Sequence, residues 1–218
     1  MFDFAQIEAW EARFEALLRE AGEADSSHGL DHIKRVVASA KRIAEAEGAR
    51  LEIVVPAAWL HDCVTVEKNS PDRAKASTLA AEAGKRYLEE LAYPADLLDE
   101  ITHCIEAHSF SAGVTPESLE AKVVQDADRL DALGAIGIAR SFMVGGRLGL
   151  PICSDIDPFC LDRPPDDSQA TLDHFFAKLL KLPPTMQTAA GRLEAERRAN
   201  FLRSFLEQLE SELPSRRS

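Results

Sequence analysis

The sequence predicts an all-α fold. Three observations carry this reading. Apolar residues recur at helical spacing in nearly every segment, glycines and prolines punctuate those segments where helices begin or stop, and no stretch shows the strict alternation of a half-buried strand. The chain has 218 residues, 45% of them hydrophobic, enough for a substantial core in one large domain or two small ones.

Asp3 is placed to cap a first helix with apolar positions Phe4, Ile7, Trp10, Phe14, Leu17 and Leu18, and Gly22 ends it. A polar link over 23–29 leads to a second helix over about 31–47, which turns Val36, Val37, Ala40, Ile43 and Ala44 inward before Gly48 stops it. A third helix spans about 51–62. Pro56 lies within it, and a late start would put that proline in the first turn, where its missing N–H is harmless. A loop follows over 64–71, and Asn69-Ser70-Pro71-Asp72 marks a turn. The Ala-rich stretch 73–91 and the stretch 94–108 are helical, with Pro94 suited to a helix start. After a loop over 109–116, helices cover 119–132 and 134–144, the second ended by Gly145-Gly146. The stretch 148–168 is rich in Pro, Gly and Asp, and at about 20 residues it is longer than most connections, as functional lids and binding loops are. Two amphipathic helices, over 172–182 and 188–213, complete the chain. The expected organisation is a single domain over 1–218: a core of about 25–145, the long loop 148–168, and two additional C-terminal helices within 169–213.

Lys plus Arg number 25 against 37 Asp plus Glu, a net charge of -12. Such acidity disfavours non-specific nucleic-acid binding and repels phosphorylated molecules at long range; a phosphate binds only where a metal and a few basic groups reverse the local sign. The 4 cysteines (Cys63, Cys104, Cys153, Cys160) form no CxxC pair, the first residues carry no basic and apolar signal segment, and no apolar run approaches a membrane span. A reduced cytoplasm and no membrane association are expected.

The chemistry concentrates in an ordered set: His32, His61-Asp62 and Asp128. The middle pair closes the apolar run Ile53-Val54-Val55-Pro56-Ala57-Ala58-Trp59-Leu60. An imidazole and a carboxylate at the end of a buried segment need a partner, and a divalent cation suits both. If His32 and Asp128 converge there, two imidazoles and two carboxylates surround one ion, in the space between core helices. Adjacent residues on a helix point about 100° apart, so His61 and Asp62 can share an ion only near a helix end or across a groove.

The segments Gly29-Leu30-Asp31-His32-Ile33-Lys34-Arg35-Val36, Ala57-Ala58-Trp59-Leu60-His61-Asp62 and Val123-Val124-Gln125-Asp126-Ala127-Asp128-Arg129-Leu130-Asp131 together resemble the signature of the HD-domain metal-dependent phosphohydrolase superfamily, H…HD…D. With Ala107-His108-Ser109-Phe110 and the Asp-Pro-Phe loop, the whole chain is similar to a bacterial subgroup of small stand-alone HD hydrolases. The resemblance implies an HD-domain helical bundle with His32, His61, Asp62 and Asp128 as metal ligands. It places the third-segment ligand at Asp128, leaving Asp126 or Asp131 to hold a ligating histidine in orientation. The mixed donor set admits one divalent ion, Mn or Mg by preference, with Fe, Ni and Zn open. The adjacent histidine pair that marks many two-metal relatives is absent, so a single ion is expected.

Further roles fall to neighbours. Glu67, shortly after the His-Asp pair, is a candidate general acid or base. Lys68 and Arg73 are candidate phosphate clamps, and Arg163, in the long loop, is a candidate lid residue that reads phosphate or pairs with an acidic neighbour. His108 could meet the scissile phosphate or cap its helix through the dipole, whereas His103, five residues earlier and about 140° away, reads as structural. The function expected is hydrolysis of a phosphate ester or anhydride of a small molecule, a nucleotide first among them, by a metal-activated water. A non-catalytic nucleotide-sensing module and a di-iron HD oxygenase are the alternatives. A homodimer is one assembly that the C-terminal helices allow.

Overall fold

The computed structural model describes residues 3–20, 29–64, 75–109 and 112–213. Glu67, Lys68 and Arg73 lie outside the described residues, as does the turn expected at 69–72. Among the described residues there are nine α-helices and no strand, and no helix is long and apolar enough to cross a membrane. These residues divide into two compact units. One combines the described part of Met1–Asp128 with Gln187–Gly191; the other combines Arg129–Met186 with the described part of Arg192–Ser218.

In the first unit, α1 (Phe4–Glu20) begins at a reciprocal cap: the Gln6 amide donates to the Asp3 carboxylate at 2.8 Å, and the Asp3 amide donates to the Gln6 side-chain oxygen at 2.9 Å. α2 (Leu30–Glu47) ends at Gly48, whose φ of 75° is left-handed, and Ala49 N–H closes the end on the Ala44 carbonyl at 2.9 Å. α3 (Leu51–Leu60) is buried from Glu52 to Leu60, so it is the central rod of this unit, with α1, α2, α4 (Ala76–Glu90) and α5 (Leu98–Ala107) against it.

Pro56 is the sixth residue of α3 rather than a first-turn residue. The helix tolerates it because the Glu52 carbonyl, four residues earlier, receives the Tyr93 hydroxyl at 2.7 Å. α6 (Leu119–Leu130) buries Val123, Val124 and Ala127 completely. Asp126 is 0% exposed and accepts from the amides of Gln187 (2.9 Å) and Thr188 (2.8 Å) and from the Thr188 hydroxyl (2.7 Å). Those bonds, with Ala190 N–H donating to Glu47 at 2.6 Å, explain why Gln187–Gly191 joins this unit.

In the second unit, α7 (Gly134–Arg147) runs through the glycine pair expected to end it. Gly145 is there for proximity: a Cβ on it would lie 2.0 Å from the Thr171 hydroxyl. The helix ends instead where Leu150 N–H reaches the Gly145 carbonyl at 2.9 Å. The helix expected over 172–182 is a short α8 (Asp173–Ala177) followed by 3-10 turns at Leu179–Lys181 and Pro183–Thr185. α8 stops at Lys178, whose φ of −134° and ψ of −58° leave the helical region; further on, Pro183 and Pro184 have no N–H to donate, and the Leu179 carbonyl is taken by Leu182 N–H at 3.1 Å. α9 (Ala189–Glu212) ends the described chain.

Candidate metal centre

The central rod delivers the His-Asp pair at its end. α3 stops at Leu60, His61 keeps helical dihedrals (φ −57°, ψ −35°), and Cys63 N–H returns to the Leu60 carbonyl at 3.1 Å. This is the helix end at which adjacent side chains can turn toward one point. His32 comes from the first turn of α2, Asp128 from the last turn of α6, and His108 directly follows α5.

The five side chains converge within the first unit. His32 Nε2 lies 3.4 Å from His61 Nε2, 3.4 Å from Asp128 Oδ1 and 3.9 Å from Asp62 Oδ2. His61 Nε2 lies 3.7 Å from Asp62 Oδ2 and 3.9 Å from Asp128 Oδ1. His108 Nε2 is 3.6 Å from Asp62 Oδ1, and its ring stands edge-on to that of His61 with centroids 4.9 Å apart. The potential ligand atoms form two overlapping trios, His32–His61–Asp128 and His61–Asp62–His108, each within 4.8 Å.

The donor chemistry suits a cation. His61 Nδ1 is 2.8 Å from the Ala58 carbonyl and His108 Nδ1 is 2.6 Å from the Ile105 carbonyl. A carbonyl only accepts, so Nδ1 carries the proton and, in the neutral rings, each Nε2 presents a lone pair. Those lone pairs face carboxylate oxygens, and in a buried site this repulsion is relieved by a shared positive centre. Two donors each about 2.1 Å from one ion lie roughly 3.0–4.2 Å apart, the range found here. Nitrogen and oxygen donors together leave the identity of the ion open.

Electrostatics separate the members. Burial pushes the His61 pKa down, His108 and His32 add to this, and the carboxylates oppose it without prevailing. Burial also acts against charge on His108, but the nearby Asp62 carboxylate, Asp128 and the Ile105 carbonyl outweigh it, so its pKa is raised. Burial would raise Asp128, yet contact with His32 and the charges of the other imidazoles hold it at about 2. Cys63, beside the pair, is pushed up to about 12 by burial and by Asp62; its half-buried thiol donates to the Ala80 carbonyl at 3.4 Å.

The remaining site residues fall elsewhere. At Nδ1, His61 and His108 each meet the carbonyl three residues before them, at the ends of α3 and α5. Asp126 takes the Gln187 and Thr188 amides, and Asp131 pairs with Arg140. His103 accepts from the Glu117 amide at 3.1 Å. In the second unit, Arg163 forms a two-pronged pair with Asp173, at 2.5 and 2.7 Å, and also donates to the Asp157 carbonyl at 3.1 Å. Gln125, not singled out from sequence, is buried and donates to the Ala107 carbonyl at 2.7 Å, one residue from His108.

Comparison with known proteins gives the chain its family. A family model described as the HD domain matches residues 29–133. The protein YpgQ of Bacillus subtilis (strain 168) is 37% identical over 196 residues, which cover 87% of this chain and 86% of the relative. The crystal structure of B. subtilis YpgQ in complex with ADP is similar at a TM-score of 0.74 and 32% identity, over 96% of this chain and 97% of that one. An HD-superfamily hydrolase from Bacillus thuringiensis is similar at a TM-score of 0.73 and 35% identity, over 94% of this chain and 97% of that one. A chain that carries these histidines and carboxylates on these helices, and that resembles such proteins along nearly its whole length, belongs to the HD-domain phosphohydrolase superfamily.

Proposed function

We propose that this protein is a metal-dependent phosphohydrolase that cleaves a phosphate ester or anhydride of a small molecule, a nucleotide before others. The observation that carries the reading is the convergence of His32, His61, Asp62 and Asp128 with lone pairs and carboxylate oxygens 3.4–3.9 Å apart. The nucleotide preference draws support from a similar protein, YpgQ, whose crystal structure contains ADP.

A divalent ion in this cluster, Mn or Mg by preference, would supply an acidified water and offset negative charge that develops on phosphoryl oxygens. The chain's own part is orientation and proton handling. The Ala58 carbonyl holds the His61 ring so that its Nε2 faces the cluster. Asp62 offers Oδ2 to the cluster and Oδ1 to His108, and so links the ligand set to a proton carrier. His108 is raised in pKa and is anchored at Nδ1; its Nε2 is the atom that holds a proton for the leaving oxygen. Glu67, Lys68 and Arg73 are proposed as acid or base and as phosphate clamps.

The test is phosphate release from a panel of nucleotides with Mn²⁺ or Mg²⁺ present, followed by product identification. The wild type is expected to turn over, while His61→Ala and Asp62→Ala lose both the bound metal and the activity. Undiminished turnover by either metal-free variant would overturn the reading. Tight nucleotide binding without turnover would point to a sensor, and two irons per chain to oxidative chemistry.

A further inference from the structure

One face of α6 carries Asp128 and, one turn earlier, Gln125. Gln125 is 3% exposed, and its Nε2 donates to the Ala107 carbonyl at 2.7 Å. Ala107 is the last residue of α5, and the final carbonyls of a helix have no partner within it. The peptide group gripped by Gln125 is the one that joins Ala107 to His108. Beyond that peptide, the His108 ring is fixed by the Ile105 carbonyl at Nδ1 and faces Asp62 Oδ1 across 3.6 Å at Nε2. The other end of the Gln125 amide is less well served: Oε1 is buried with no hydrogen-bond partner among the described residues. The amide orientation follows from Ala107, which can only accept. A leucine of similar size would fill the same space without burying an unmatched oxygen, so packing alone does not account for an amide here.

We propose that Gln125 is a positioning residue: by holding the Ala107–His108 peptide against α6, it sets the reach of the His108 imidazole toward Asp62. The proposal rests on the phosphohydrolase reading for its kinetic consequence and on geometry alone for its structural one. Without the Gln125 bond, the end of α5 is free to shift. Shifts of an ångström at a reacting group lower rates by as much as about 100-fold.

The experiment compares Gln125→Leu with wild type, and uses Gln125→Met if the leucine variant does not fold. With saturating Mn²⁺, kcat for phosphate release is expected to fall roughly 10- to 100-fold, with KM within about twofold and metal content unchanged. In a His108→Ala background the same change should cost almost nothing, because the group it positions is gone. A second readout needs neither metal nor turnover. The His108 Nδ1 proton, assigned by its loss in His108→Ala, should exchange slowly with solvent in the wild type and much faster in Gln125→Leu. Equal exchange in both, or losses that add across the double variant, would overturn the proposal. If wild type releases no phosphate from any nucleotide, the reaction falls, and the exchange measurement still decides the placement of His108.

Discussion

Tyr93 completes a helix to which it does not belong: its hydroxyl donates to the Glu52 carbonyl at 2.7 Å, the acceptor that Pro56 has no N–H to serve. Phe in place of Tyr93 is expected to destabilise the protein by about 1–3 kcal/mol, since a buried carbonyl loses a donor. Pro56→Ala supplies an N–H at the right position, so the penalty for Tyr93→Phe should shrink in that background. Urea unfolding of the two single variants and the double variant measures the coupling. Strict additivity would show that the hydroxyl does not stand in for the helix bond.

Asp126 and Asp128 divide two tasks on one helix. Asp126 receives the amides of Gln187 and Thr188, whereas Asp128 faces His32 at 3.4 Å. Asp126→Ala should lower stability by roughly 3 kcal/mol, because two amides and a hydroxyl lose a charged acceptor that is itself fully buried. Asp128→Asn should abolish metal retention, while its cost to metal-free protein stays below that of Asp126→Ala, since its carboxylate gives up the His32 contact but no backbone amide. Calorimetry and metal analysis on both variants separate the roles; a reversed pattern would identify Asp126 as the ligand.

Metal binding should raise thermal stability. An ion that binds only the folded chain adds RT ln(1 + [metal]/Kd), about 2.7 kcal/mol at a hundredfold excess over Kd. Melting in increasing Mn²⁺ is expected to show a rising Tm for the wild type and a flat one for His61→Ala. Removal of the ion by a chelator should return the wild type to the lower value.

Asp173 ties the acid limb of stability to the long loop. Burial opposes its charge, but the hydrogen bonds from Arg163 and from the Asp166 amide prevail, so its pKa is lowered. A carboxyl lowered in the folded state contributes stability that is fully present above its unfolded pKa of about 3.9 and is lost as pH falls through the folded value. Asp173→Asn should therefore be less stable than wild type at neutral pH, and the gap should narrow below about pH 4. Denaturant midpoints between pH 2 and 7 supply the test.

Local signals made much of the fold legible. The reciprocal cap of Asp3 and Gln6 and the left-handed Gly48 act within one turn, and sequence displays such features directly. The three His/Asp segments are similarly readable, because each sits in its own apolar frame. What sequence hid depends on distant partners. Tyr93 makes an interior Pro56 tolerable, Thr171 makes Gly145 a packing site rather than a helix stop, and Lys178 leaves the helical region five residues before the prolines, so α8 is short. For Arg163 the sequence offers a phosphate-reading lid residue or an ion pair with an acidic neighbour; it does not single out Asp173, ten residues on, as the partner. Gln125 escaped notice since an amide between valine and aspartate carries no motif, and only its bond to Ala107 gives it meaning.

The amides of Gln187 and Thr188 on Asp126 also bear on how the protein can be dissected. The stretch 29–133 carries every histidine and carboxylate of the cluster, yet a fragment cut to that length would strand a charged side chain in an apolar interior. The smallest autonomous version must import a short clasp from far downstream, so truncation scans and fusions should break the chain elsewhere.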